Sequence, residues 1–448
     1  MDISVVGLGK LGSPLVAVLT DSGHNVVGLD VNKKYVDALN RGQAPVQEPD
    51  LQELITKNKD RITATTSYEE AINASDVTFI VVPTPSDENG RFVNVHVATA
   101  AESIGAAIEE KGKEHLVVVV STVMPGDTEH AIHSALHNVR KKYRDGKFST
   151  SNEDAYTDLI KLCYSPEFIA LGSVVSDMQN PDMILIGEDS PESGKLLEEI
   201  QMSVVKNEPR VVHVSIREAE IAKIAINTYI TMKISYANLV GEICRQSPDV
   251  DGRRVLDAVG SDSRIGHKYL KIGTPYGGPC FPRDTIAFGI AAAEVKVDAL
   301  IPEAIKAIND RQSLQIAKIA SFYATHRKPI AVLGLSYKPG TNITEEAAGV
   351  AIANALVEAG KDVVVYDPLV TKAHNLSPHV RWAPDLESAV EQASVVVLAL
   401  GYEEFVDLPP HFFDYNENDP NSKFYIDCWN ILSDYHNVVR LGVSHRGW

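Results

Sequence analysis

The tightest constraint on this chain sits at its start. Ile3-Ser4-Val5-Val6 reads as a buried strand, Leu15–Ser22 as a helix, and Gly7-Leu8-Gly9-Lys10-Leu11-Gly12 joins the two. A GxGxxG turn in that position lets backbone approach a pyrophosphate and aims the positive end of a helix at it. Asn25–Leu29 reads as the next strand, and Asp30 closes it, eighteen residues beyond Gly12. A carboxylate there accepts hydrogen bonds from the adenosine ribose and repels a 2′-phosphate, which favours NAD over NADP. Gly7, Leu8, Gly9, Lys10, Leu11, Gly12 and Asp30 are therefore the expected cofactor-binding residues.

The alternation of short β-branched runs with helical patterns continues, the mark of a parallel sheet covered by helices. Val77–Val82, Leu116–Val120, Leu162–Tyr164 and Met183–Ile186 read as strands, and Lys34–Arg41 as a helix. The polar stretch Arg140–Asp158 reads as a loop or a frayed helix end. From Glu218 to Arg245, Ile221, Ile224, Ala225, Thr228, Ile234, Leu239 and Ile243 repeat at three and four, predicting one long helix between domains. Alternation restarts near Lys328, with strands expected at Ile330–Leu333, Asp362–Tyr366, Val395–Leu400 and Lys423–Ile426. The predicted fold is α/β: two Rossmann-like, doubly wound parallel-sheet lobes joined by a long central helix and a helical dimerisation region. The expected boundaries are 1–205, 206–312 and 313–448, in keeping with 448 residues and two or three domains.

Charge narrows the partners. The 42 Lys plus Arg face 60 Asp plus Glu, a net charge of -18, which argues against nucleic acid or an anionic membrane. No run approaches the ~18 apolar residues of a membrane span. The opening residues read as a strand rather than a basic leader, so a cytoplasmic location is expected. Cys163, Cys244, Cys280 and Cys428 form no CxxC pair, so reduced thiols are expected rather than a zinc site or disulfide framework, and no metal is predicted.

Gly277-Gly278-Pro279-Cys280-Phe281-Pro282-Arg283-Asp284 is the most informative octapeptide. Two glycines let backbone come close to a ligand, and Pro282 suits the first turn of a helix. Cys280 then sits at a helix N-terminus, where the dipole favours thiolate, with Arg283 adding positive charge. Asp284, four residues on, can share its face. Lys223 and Asn227 stand at i and i+4 on the long helix among apolar neighbours. A lysine with a covered stem can move a proton or steady an alkoxide. Ser121–Gly126 and Ser165–Phe168 each follow a strand and resemble loops that face a ligand at the carboxyl edge of a sheet.

Together these residues resemble the UDP-glucose/GDP-mannose dehydrogenase family. The fingerprint, Pro83-Thr84-Pro85, Ser121-Thr122, Pro166-Glu167-Phe168, Lys223 with Asn227, and the Cys280 octapeptide occur in that family's order. Gly334-Leu335-Ser336-Tyr337-Lys338-Pro339-Gly340-Thr341 and Tyr366-Asp367-Pro368 look like its nucleotide-binding lobe. The resemblance implies oxidation of the C6 hydroxymethyl of a nucleotide sugar to a carboxylate with two NAD in succession, UDP-glucose giving UDP-glucuronate. It implies Thr84 and Thr122 near the nicotinamide half, and Lys223, Asn227 and Asp284 around an ordered water and the oxyanion. It further implies Cys280 as the nucleophile that forms a thiohemiacetal and a thioester, and Glu167 assisting hydrolysis. Phe168, Arg264 reaching across a dimer, Tyr269, Leu270, Gly277 and Lys338 would be substrate contacts. The lobes become an NAD-binding domain at 1–205, a central region with the catalytic Cys at 206–312, and a UDP-binding domain at 313–448. The active site is expected between the lobes.

The chain departs from the pattern at four places. Leu171 stands for a second carboxylate, Tyr35 for a basic residue, and Glu345 and Trp429 for arginines. These bear on the sugar and the nucleotide, and a UDP-N-acetylhexosamine or GDP-mannose 6-dehydrogenase is the alternative. A non-catalytic nucleotide-sugar or NAD sensor and a two-electron hydroxyacid dehydrogenase are the remoter ones. The apolar stripe of the long helix predicts a homodimer.

Overall fold

The computed structural model describes residues 1–137, 159–325, 328–416 and 422–444; the expected loop at Arg140–Asp158 lies outside them. Two compact units divide the chain, Met1–Ile224 and Ala225–Trp448.

Among the described residues the first unit has eight strands: β1 (Asp2–Val6), β2 (Asn25–Leu29), β3 (Ile62–Thr65), β4 (Val77–Ile80), β5 (His115–Val119), β6 (Ile160–Tyr164), β7 (Met183–Glu188) and β8 (Arg210–Ser215). Their order is β3-β2-β1-β4-β5-β6-β7-β8. Consecutive side chains alternate between two apolar clusters. Leu116 and Val118 belong to one, Val117 and Val119 to the other, so both faces are covered by helices. The parallel sheet that the sequence predicts has one exception in its pairing: β7 runs antiparallel to β6, joining Cys163 with Glu188 and Tyr164 with Gly187.

The second unit repeats the plan with β9 (Ile330–Leu333), β10 (Val363–Tyr366), β11 (Arg381–Trp382), β12 (Val395–Leu398), β13 (Phe424–Asp427) and β14 (Val438–Arg440). Their order is β11-β10-β9-β12-β13-β14, all parallel. In both sheets the order reverses beside the first strand of the unit, the place where such sheets open a ligand crevice. The helix Ile216–Arg245 runs unbroken across the boundary between the units.

Four strands escape the sequence reading: β3, β8, β11 and β14. All four are sheet edges. An edge strand is covered on fewer sides, so it needs no continuous apolar run. Arg210–Ser215 shows this, with no fully buried residue along its length.

Candidate active site

The fingerprint turn has three glycines with three different surroundings. Gly7 adopts φ +100° at the end of β1, with the Val81 carbonyl where a Cβ would point. At Gly12 a Cβ would lie 1.7 Å from the Gly7 carbonyl oxygen, so that glycine seats the helix Gly12–Asp21 on the turn. Gly9 has nothing within 4 Å of its Cβ position. Only Gly9 therefore fronts open space, as a backbone meant to meet a pyrophosphate must. Asp30 stiffens the turn: one carboxylate oxygen accepts from Leu8 N–H at 2.7 Å and the other from Asn32 N–H at 2.7 Å. Each oxygen keeps a lone pair for a ribose hydroxyl. The cradle fits NAD.

Three loops at the carboxyl edge of the same sheet are tied together. Thr84 Oγ1 donates to the Thr122 carbonyl at 2.7 Å, and Ser121 Oγ to the Val82 carbonyl at 2.6 Å. The long helix grips the turn at Gly126–Thr128. Glu220 has no solvent exposure, and its carboxylate accepts from the N–H groups of Gly126 and Thr128, the latter at 2.9 Å. One turn earlier Arg217 reaches Glu129 at 2.7 Å. One turn later Lys223 donates to the Glu167 carbonyl at 2.8 Å, its ammonium 4.6 Å from the centre of the Phe168 ring. Sequence reading found Lys223 and missed Glu220. Its signal is an acid three residues before Lys223 on the same helix face.

Glu167 lines a cavity with Leu15, Phe79, Met178, Ile184 and Gln201. Burial beside those apolar walls pushes its carboxyl up to about 7, with Lys223 working in the opposite direction. The segment after it is pinned by Glu48, another acid the sequence reading missed, which accepts from Gly172 N–H at 3.0 Å and Val174 N–H at 2.8 Å. Leu171 packs against the core under that segment, so its side chain is an apolar anchor.

In the second unit, Cys280 precedes the helix Phe281–Glu294, with Pro282 in its first turn, as the sequence predicts. Cys280 is exposed, while Asp284 is buried and accepts from the Asn227 side-chain amide at 2.5 Å. The glycines before the thiol are also required by the chain itself. A Cβ on Gly277 would lie 1.9 Å from the Glu346 carbonyl, and one on Gly278 would meet the Tyr337 ring at 2.4 Å. They admit the chain's own neighbouring loop, which brings the Tyr337-Lys338 turn against the Cys280 turn. Tyr269 is half exposed and packs edge-on to Phe281, whereas Leu270 is buried with Ala237 and Leu256 and can offer a ligand only backbone. Arg264 is exposed and paired with Asp262 at 2.7 Å. Glu345 gives its carbonyl to Gly278 N–H at 3.1 Å, and its side chain is exposed; Tyr35 packs beside the first core.

Asp367 closes β10 as Asp30 closes β2, but its oxygens are occupied. It accepts from the N–H groups of Leu335 and Ser336 on one oxygen and of Leu369 and Val370 on the other. A carboxylate committed to four backbone donors has no capacity left for a ribose diol. The second sheet thus shares the topology of the first without its dinucleotide-reading acid. Among the described residues no cluster of His, Cys, Asp and Glu could hold a metal ion, and no helix is long and apolar enough to cross a membrane.

Comparison with known proteins matches three models of one family along the chain. The NAD binding domain of the UDP-glucose/GDP-mannose dehydrogenase family covers residues 1–205, its central domain 217–311 and its UDP binding domain 331–434. The UDP-glucose 6-dehydrogenase AglM of Haloferax volcanii is 34% identical over 418 residues, 92% of this chain and 94% of that one. The GDP-mannose 6-dehydrogenase of Pseudomonas aeruginosa is 30% identical over 424 residues, 91% and 93% of the two chains. The structure of a UDP-glucose dehydrogenase from Pyrobaculum islandicum superposes with a TM-score of 0.82 at 31% identity, covering 95% of this chain and 94% of that one.

Proposed function

The chain belongs to the UDP-glucose/GDP-mannose dehydrogenase family, as an NAD-dependent nucleotide-sugar 6-dehydrogenase, and from that premise we propose that it oxidises UDP-glucose to UDP-glucuronate in two successive two-electron steps. Bound NAD supplies the hydride acceptor for each step. Asp30 and the open backbone at Gly9 would hold it, with Thr84 and Thr122 on the side of its nicotinamide half. The hydroxyl passes its proton to the water ordered by the Asn227–Asp284 pair as its hydride leaves, while Lys223 steadies the C6 oxyanion. The Cys280 thiolate then adds to the aldehyde carbon, forming a C–S bond, and the oxygen takes up a proton. Oxidation of that thiohemiacetal leaves a thioester. Water attacks the thioester, Glu167 takes its proton, and the C–S bond breaks to return the thiol and release the acid. Phe168, Tyr269, the Leu270 backbone, Gly277, Lys338 and a partner copy's residue equivalent to Arg264 complete the substrate contacts.

The exposed thiol at a helix start carries this reading, because a two-electron dehydrogenase has no use for it. The choice of UDP-glucose is supported by Phe281-Pro282-Arg283-Asp284 after the thiol, which resembles the UDP-glucose branch of the family more than the N-acetylhexosamine branch, and by the UDP-glucose dehydrogenases of Haloferax volcanii and Pyrobaculum islandicum among its relatives. GDP-mannose is the second reading, favoured by the 30% identical relative and by the altered Leu171 and Trp429. NADH production across UDP-glucose, UDP-N-acetylhexosamines and GDP-mannose tests the choice, and no turnover of UDP-glucose would end it.

A homodimer completes the proposal. Ile221, Tyr229, Tyr236 and Ile243 are 45%, 56%, 48% and 58% exposed, and they recur every seven or eight residues along the long helix. Such a stripe buries itself against a second copy. We keep the three-part division at 1–205, 206–312 and 313–448, with the central part supplying this surface. A cytoplasmic location goes with a thiol that must stay reduced.

A further inference from the structure

Trp429 stands where the family pattern expects an arginine, and its surroundings turn an odd replacement into a built surface. The residue follows β13, and its indole N–H donates at 2.8 Å to the carbonyl of Ala399, which directly follows β12. The ring therefore spans the carboxyl ends of β12 and β13, one strand beyond the reversal of strand order between β9 and β12. The carboxyl edge beside that reversal is where an open α/β sheet presents its ligand crevice.

The ring is held from several sides. Below it, the buried Asp427 carboxylate accepts from the N–H groups of Trp429, Ile431 and Leu432 at 3.0–3.2 Å. Beside it, Asn430 adopts φ +57° and takes a hydrogen bond from Arg253, which is itself paired with Asp251. The benzo edge lies against Gly273, where a Cβ would approach the ring to 3.1 Å. Gly273 cannot retreat: its N–H is held by Asn238 at 2.9 Å and its carbonyl by Gln312 at 2.7 Å. A tryptophan that merely filled space would be covered. This one is fixed by its own N–H, its backbone and its edge, yet 39% of it stays exposed.

An indole fixed in this way and still partly exposed suits a planar ring. It cannot neutralise a phosphate as a guanidinium does, and the neighbouring guanidinium of Arg253 already faces Asp251. We propose that Trp429 is a stacking surface for the base of the nucleotide substrate, binding by ring contact where an arginine would bind by charge. The inference rests on the nucleotide-sugar reading and adds to it the residue that senses the base.

Tryptophan fluorescence tests it directly, since the only other tryptophans are Trp382 and Trp448. UDP and GDP are titrated into the wild type, Trp429→Leu and Trp429→Tyr. Stacking predicts quenching in the wild type that is lost in Trp429→Leu, with a dissociation constant raised at least about fivefold for the preferred nucleotide. Trp429→Tyr should recover most of the affinity. NADH binding, held by the first unit, should not change, which separates a lost contact from a lost fold. An unchanged nucleotide affinity in Trp429→Leu, while the wild type turns over nucleotide sugar, overturns the stacking role alone. If neither nucleotide binds the wild type, the substrate reading falls and takes this inference with it. Preference for GDP over UDP would move the substrate to the second reading while keeping the stacking.

Discussion

Cys163, Cys244 and Cys428 are buried, and burial raises the pKa of each thiol, that of Cys163 to about 12. Cys280 is the exposed cysteine among the four. A thiol reagent in modest excess should therefore add one label per chain at Cys280 and abolish turnover, and mass spectrometry of the labelled protein checks this. Label on any other cysteine in the folded protein would contradict it. Glu167 makes a second prediction at this scale. A carboxyl raised to about 7 is protonated below that pH and cannot take a proton from water. Acid formation should fall about tenfold per pH unit below about 7 and level off above it. Glu167→Gln should remove that limb and leave acyl-enzyme visible by mass; a variant with the wild-type profile would clear Glu167 of the role.

At the scale of elements, the fingerprint turn makes opposed predictions for two of its glycines. Gly9→Ala should melt like the wild type but bind NAD about tenfold more weakly, the loss of roughly one backbone contact to a phosphate. Gly12→Ala forces a Cβ onto the Gly7 carbonyl and should lower stability by about 1–3 kcal/mol or more. Calorimetric melting with an NAD titration separates the two. Inside the same sheet His115 is buried against Thr78 at 2.6 Å, and Thr78 against Ser4 at 2.7 Å. Burial, then the Lys111 charge, pulls the His115 pKa from 6.5 down to about 3. The imidazole is neutral in the fold, so its contribution to stability is full above pH 6.5 and is lost as pH falls towards 3. His115→Gln should melt with a shallower acid slope than the wild type. The elements themselves were legible wherever burial on both faces forces a run of Val, Ile and Leu, as in β5, β9 and β12. The edge strands were not, because half-exposed backbone accepts residues such as those of Arg210–Ser215. The site divides along similar lines. Cys280 and the fingerprint announce themselves by local glycine, proline and charge, whereas Glu220 and Glu48 act through backbone groups far along the chain. The glycines at 277 and 278 were legible as necessary, but what they admit is Glu346 and Tyr337.

For the whole molecule, two sheets that share the order of their first six strands carry different closing acids. Asp30 keeps acceptor capacity for a cofactor, and Asp367 is committed to its own backbone. The closing acid thus separates a sheet that can read a ribose diol from one that cannot. Sedimentation should give twice the 48.8 kDa chain mass or a multiple of it, and Tyr236→Asp in the exposed stripe should shift the protein towards monomer. The most direct test of the central claim is the count of NADH formed per UDP-glucose consumed. A sulfur that captures the aldehyde predicts two NADH with glucuronate as the product and no free aldehyde. One NADH per sugar, with the aldehyde accumulating in solution, would contradict it.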